Sequence, residues 1–219
     1  AILLAGLALG RSWDLGPILV ILTILLFALE VFRIQETDYL SAARRQKPVI
    51  FAMGAHVLKV GLSPVVIDLM QRGVITGVAM NGAGIIHDLE LAMTGRTSEE
   101  VGPALADGSF GMAAEPAAFL SRAVDRAHAR GEGLGRAVGE TIRAAGFACE
   151  SQSILAAGAR LGLPVTVHVA IGTDIIHMHP GFDAAKTGAA SHLDFRLLAA
   201  QVSGLEGGVF INAGSAVIL

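Results

Sequence analysis

Cysteine is almost absent from these 219 residues: Cys149 stands alone, so no internal disulfide can form, and no CxxC or Cys/His pattern with zinc spacing occurs. A reducing, cytoplasmic compartment fits that usage. Charge is sparse as well. Only 16% of residues are Asp, Glu, Lys or Arg, the net charge is -3, and the basic residues are dispersed, which excludes a basic face for nucleic acid or anionic lipid. The dinucleotide fingerprint GxGxxG is missing. A membrane span is not expected either. The uncharged run Leu15 to Leu29 falls short of the roughly 20 residues that cross a bilayer, Asp14 and Glu30 bracket it, and no basic segment introduces it as a signal peptide. Residues 1–46 therefore read as an apolar N-terminal helical segment, buried or packed on a partner, with a membrane anchor as the weaker alternative. What the chain does have is 53% hydrophobic residues and 27 Gly, enough for one sizeable core.

From Lys47 onward short apolar runs alternate with longer helical patterns, the sequence form of βαβ units. Strands are expected at Pro48 to Met53, Val74 to Met80, Val165 to Ile171 and Gly208 to Ile211, the third of them inside the sheet. Helices are expected at Ser63 to Arg72, with Ser63 as N-cap and Pro64 at the first helical position, and at Ile85 to Met93, closed by Gly95. Further helices fall at Met112 to Arg130, Leu134 to Ala145, Glu150 to Leu161 and Ala189 to Val202, and Thr97 and Ser98 ahead of Glu99 and Glu100 are placed to cap a short turn. The pattern predicts one α/β domain over 47–219, a Rossmann-like parallel sheet with helices on both faces. It stops on a strand with no polar tail, which reads as truncation at the C-terminus.

Ligands of open parallel sheets bind beyond the carboxyl ends of the strands. Those ends read Gly54-Ala55-His56, Asn81-Gly82-Ala83-Gly84, Gly172-Thr173-Asp174 and Asn212-Ala213-Gly214-Ser215, each a set of small residues with polar side chains beside them. Glycine lets backbone amides approach a ligand, and a following helix start offers N–H groups to a phosphate or carboxylate. Tight turns alone also explain glycine at any one of these ends. Gly54, His56, Asn81, Gly82, Gly84, Thr173, Asp174, Gly214 and Ser215 are thus candidate cofactor contacts. Histidine is the second signal. His87 and Asp88 start a helix, with Glu90 on the face of His87, and Asp88 is as suited to capping as to catalysis. His177 and His179, two residues apart, point the same way in extended backbone and serve as acid and base or as metal ligands; in a helical start they diverge. The bland reading is that these imidazoles bond loop backbone. His168, in a strand, reads as a core histidine, and Lys59 and Lys186 as solvated lysines.

The order of these segments resembles deoxyhypusine synthase. PVIFAMGAHVLKVGLSPVVIDLMQRGVITGVAMNGAGIIHDLELAMTG is similar to that family's first strand, its Gly-rich turn and the strand before an acidic helix start; LGLPVTVHVAIGTD resembles its strand into a Thr-Asp turn, and LDFRLLAAQVSGLEGGVFINAGS its last helix and Gly-rich strand end. The resemblance implies an NAD-binding α/β domain, transferase-type chemistry through an imine on an enzyme lysine, and a homo-oligomer with active sites between subunits. Two departures matter. No lysine follows the last turn, Gly214-Ser215-Ala216-Val217-Ile218-Leu219, and the acidic helix start is Ile86-His87-Asp88. The expectation is an NAD-dependent enzyme with altered chemistry on a small molecule, using His87, Asp88, His177 and His179. The alternatives are a non-catalytic nucleotide-binding or scaffold protein and a metal-dependent enzyme built on His177 and His179.

Overall fold

A computed structural model describes residues 41–97, 106, 108 and 113–214. The chain divides into two compact units, Ala1–Ser41 and Ala42–Leu219, and every element below belongs to the second. The apolar run Leu15 to Leu29, the capping pair at Ser98 and its acidic neighbours, and Ser215 lie outside the described residues. Among the described residues no helix is long and apolar enough to cross a membrane.

Chain order runs β1 (Val49–Met53), α1 (Ala55–Lys59), α2 (Ser63–Gln71), β2 (Gly77–Asn81), α3 (Gly82–Thr94), α4 (Ala114–Arg130), α5 (Leu134–Ala145), a 3₁₀ turn at Glu150–Gln152, α6 (Ile154–Leu161), β3 (Val165–His168), a second 3₁₀ turn at Ile175–Met178, α7 (Ala184–Ser203) and β4 (Val209–Asn212). All strand pairs are parallel, in the order β3-β2-β1-β4. Helices flank this sheet. In the register Met53↔Met80↔Val167, one sheet face presents Met53, Val78, Met80, Val165 and Val167 to Leu89 of α3, Leu120 of α4, Ile142 of α5 and Leu155 of α6. Burying each such side chain contributes roughly 1.5–3 kcal/mol. On the other face the Gln201 side chain of α7 packs against Gly77.

Each helix boundary has a local cause. α2 starts with Pro in its first turn but is capped by Leu62, so Ser63 is the first helical residue rather than the N-cap, and its buried hydroxyl has no partner among the described residues. Asn81 caps α3, its Oδ1 accepting the Gly84 N–H at 3.0 Å, and Gly95 ends it at φ 73°. α5 and α6 approach closely because Gly139 has no Cβ: one built there would lie 2.3 Å from the Leu155 carbonyl oxygen.

Two expectations about strands are corrected. β2 begins at Gly77 rather than Val74, because Val74 and Ile75 donate back to the Leu69 carbonyl to close α2, while the Thr76 hydroxyl takes the Val49 N–H at 2.9 Å. β3 lies at the sheet edge, not inside it, and stops at His168, since its neighbour β2 ends at the paired Asn81. The edge is covered by side chains of α7. Asp194 Oδ2 accepts the Val167 N–H at 2.9 Å, and Ser191 Oγ accepts the Val169 N–H while donating to the Val167 carbonyl, both at 2.9 Å. These bonds occupy groups that would otherwise recruit another strand.

Candidate functional site

Because the strands are parallel, all four Gly-rich exits emerge at one edge of the sheet. The exits of β1 and β4 join there: the Gly54 N–H donates to the Gly214 carbonyl at 3.1 Å, and Ala213 N–H to the Ala52 carbonyl at 2.8 Å. Several amides expected to meet a ligand are already engaged. Gly54 binds Gly214, Gly84 binds Asn81, and the Gly214 N–H binds Asn212 Oδ1 at 3.0 Å. Glycine at these ends serves chain geometry first.

Beyond β2 and β3 two cavities open, of about 500 and about 190 Å³, separated by a shared wall of Ile86, Leu120, Asp174 and Ile176. Lys59, His87, Glu90 and Thr173 line the larger one; Gly82, His177, Asp183 and Lys186 line the smaller. The structure therefore gathers His87, Thr173, Asp174, His177 and Gly82. Gly54, His56, Asn81, Gly84, Asp88, His179 and Gly214 line neither cavity.

The helical phase of α3 sets His87 beside Glu90, one turn apart, with Nδ1 2.8 Å from Oε2 and side chains 23% and 10% exposed. A carboxylate only accepts, so the shared proton sits on Nδ1 and the carboxylate fixes the orientation of the ring. Asp174 packs so tightly on Gly82 that a Cβ there would sit 2.1 Å from Oδ2. Burial pushes the Asp174 carboxyl above the usual range, and the nearby His177 and His87 pull it partly back.

Two expected roles are revised by geometry. Asp88 is fully buried and caps a different helix, accepting Ser153 Oγ and the backbone N–H groups of Ile154 (2.7 Å) and Leu155 (3.3 Å) at the start of α6. Burial nevertheless dominates, lifting Asp88 to about 6 against those three donors. His177 and His179 do not share an extended segment. His177 lies on the 3₁₀ turn, where its Nδ1 accepts the N–H groups of Gly172 (3.0 Å) and Asp174 (3.2 Å), and His179 accepts the Gly181 N–H at 3.2 Å. The reading of loop-bonding imidazoles holds for both Nδ1 atoms. Among the described residues no three His, Cys, Asp or Glu side chains converge as a metal-binding set. His168 shares a hydrogen bond with Thr166 Oγ1 at 3.0 Å, and burial lowers its pKa.

Sequence reasoning missed the group beside the smaller cavity. Lys186 Nζ lies 2.6 Å from Asp125 Oδ1 and 3.5 Å from Asp183 Oδ2, so this lysine is ion-paired rather than simply solvated. Asp125 and Lys186 are 61 residues apart, and no spacing rule connects them.

No protein-family model matches the sequence, and no curated protein matches it. Among solved structures it is similar to a "putative deoxyhypusine synthase from Entamoeba histolytica", with 10% identity and a TM-score of 0.43 over 72% of this chain. The match spans 55% of that protein's chain. The likeness is distant and concerns the fold alone.

Proposed function

We propose that this chain is an NAD-binding, transferase-type enzyme of deoxyhypusine-synthase-like fold, acting on a small molecule in the larger cavity. The observation that carries the reading is the His87–Glu90 pair opening, with Asp174, on a cavity of about 500 Å³ at the carboxyl edge of the sheet. Strand order 3-2-1-4 supports it, being the order of the first four strands of a dinucleotide-binding sheet, with the switch point between β1 and β4. Of the expected cofactor contacts, Gly82, Thr173 and Asp174 line the cavities and are the residues we assign to holding NAD, which when bound supplies a hydride acceptor. His87 Nε2 takes the substrate proton, and Glu90 holds the ring and balances the charge it acquires. The chemistry is assigned to acid/base residues because the His87–Glu90 pair lines the larger cavity. A protein that binds NAD without turnover would instead be the scaffold reading.

Calorimetry with NAD at millimolar concentration is the test. Binding is expected, weakened about tenfold or more in Asp174→Ala, which loses a hydrogen-bonding carboxyl worth about 1.5–3 kcal/mol. No heat and no thermal shift with a folded protein would overturn the assignment.

A further inference from the structure

The smaller cavity differs in chemistry from the larger one. Its walls are apolar, formed by Ile85, Leu120, Val124, Leu134, Val169 and Phe182. Its polar groups are already committed to one another. Ser121 Oγ donates to the carbonyls of Ala117 (3.0 Å) and Gly181 (3.1 Å), and Thr187 Oγ1 to that of Asp183 (2.7 Å). Asp125 and Asp183 share the Lys186 ammonium, and Asp183 Oδ1 also takes the Lys186 backbone N–H at 2.9 Å. The Asp174 carboxylate accepts the His177 N–H in a reciprocal capping box.

Besides the remaining lone pairs of Asp174, His177 Nε2 is the group left to offer a ligand. Two backbone N–H groups point at Nδ1, so the neutral ring carries its proton on Nε2 and presents a donor. The Phe182 ring packs on this imidazole with centroids 4.5 Å apart. Apolar walls favour a ligand group that brings no charge, because a charge buried here loses its hydration and meets carboxylates already engaged, Asp125 and Asp183 with Lys186 and Asp174 with the His177 N–H. Size sets a second limit. A cavity of about 150 Å³ lined by aliphatic and aromatic side chains takes up benzene, and this one measures about 190 Å³.

We propose that the smaller cavity is a specificity pocket for an uncharged, ring-sized hydrocarbon group carrying at most one hydrogen-bond acceptor, received by His177 Nε2–H. It rests on the function proposed above only in treating the two cavities as one substrate site divided by Asp174 and Ile176.

The test needs no nucleotide, so its failure is separate from failure of NAD to bind. Benzyl alcohol, toluene, benzylamine and benzoate are titrated at about 1–10 mM, the affinity range of ligands this small, into the full chain with methyl groups observed by NMR. Benzyl alcohol and toluene are expected to shift the methyls of Ile85, Val124 and Val169, with benzylammonium and benzoate at least about tenfold weaker. Val124→Phe, which fills the cavity, is expected to abolish those shifts. Benzylammonium or benzoate binding as tightly as the alcohol, shifts confined to other methyls, or no binding by a folded protein would each overturn the proposal. Should Val124→Phe fail to fold, the site-resolved wild-type titration decides alone.

Discussion

Replacing Asp88 by asparagine changes how stability depends on pH, and the size of the change follows from burial. The carboxyl is fully buried and pushed from 3.8 to about 6 in the folded protein. Between those values the folded state holds a proton that the unfolded state has lost. The stabilisation is therefore complete below pH 3.8 and disappears as pH rises through about 6. At 1.36 kcal/mol per pH unit the difference is about 3 kcal/mol. The carboxamide of the variant cannot titrate, so the stability of wild type minus Asp88→Asn should fall by about 2.4 kcal/mol of that between pH 4 and pH 7. Subtracting the variant cancels the other groups, including Asp194, which burial also lifts to about 6. Urea denaturation followed by circular dichroism at pH 4, 5, 6 and 7 measures it. A difference that stays constant over this window, or grows with pH, would refute the reasoning, because it would mean that the donors at the start of α6 outweigh desolvation.

Other outcomes follow from the same geometry. Gly135→Ala places a Cβ 1.8 Å from the Val165 carbonyl oxygen, a backbone atom that cannot move aside, so the melting temperature should fall with a loss of about 3 kcal/mol; an unchanged melting curve would contradict the packing of α5 on β3. Ser191→Ala removes two hydrogen bonds from the β3 edge, a cost of about 1–3 kcal/mol, and hydrogen exchange at Val169 should accelerate more than at Val78. His87→Ala should reduce turnover by about 10²-fold or more while NAD still binds, and equal rates would remove His87 from the chemistry. The exposed side chains of Val60, Leu62, Val65 and Phe195 favour a homo-oligomer, checked by light scattering, where a detergent-free monomer would refute it.

Local chemistry made much of the fold legible. Leu134 to Ala145 is a helix with the ends expected from its Gly-flanked apolar period, and Gly95 and Gly162 end helices in the left-handed conformation, at φ 73° and 69°. The His87–Glu90 pair was visible because i,i+3 spacing on one helix settles adjacency without tertiary information. What distant segments decide was not visible. Asp88 sits in the same helix as His87, yet its partners are 65 to 67 residues away at the start of α6, so packing and not spacing makes it a cap. Strand periodicity marks Val165 onward as extended but says nothing about neighbours. The edge position of β3, its end at His168 and its cover by Ser191 and Asp194 depend on the order in which crossovers lay the strands down. The turn at Ile175–Met178 is of this kind too: the His177 ring takes the N–H groups of Gly172 and Asp174, folding up a segment whose composition allowed an extended path.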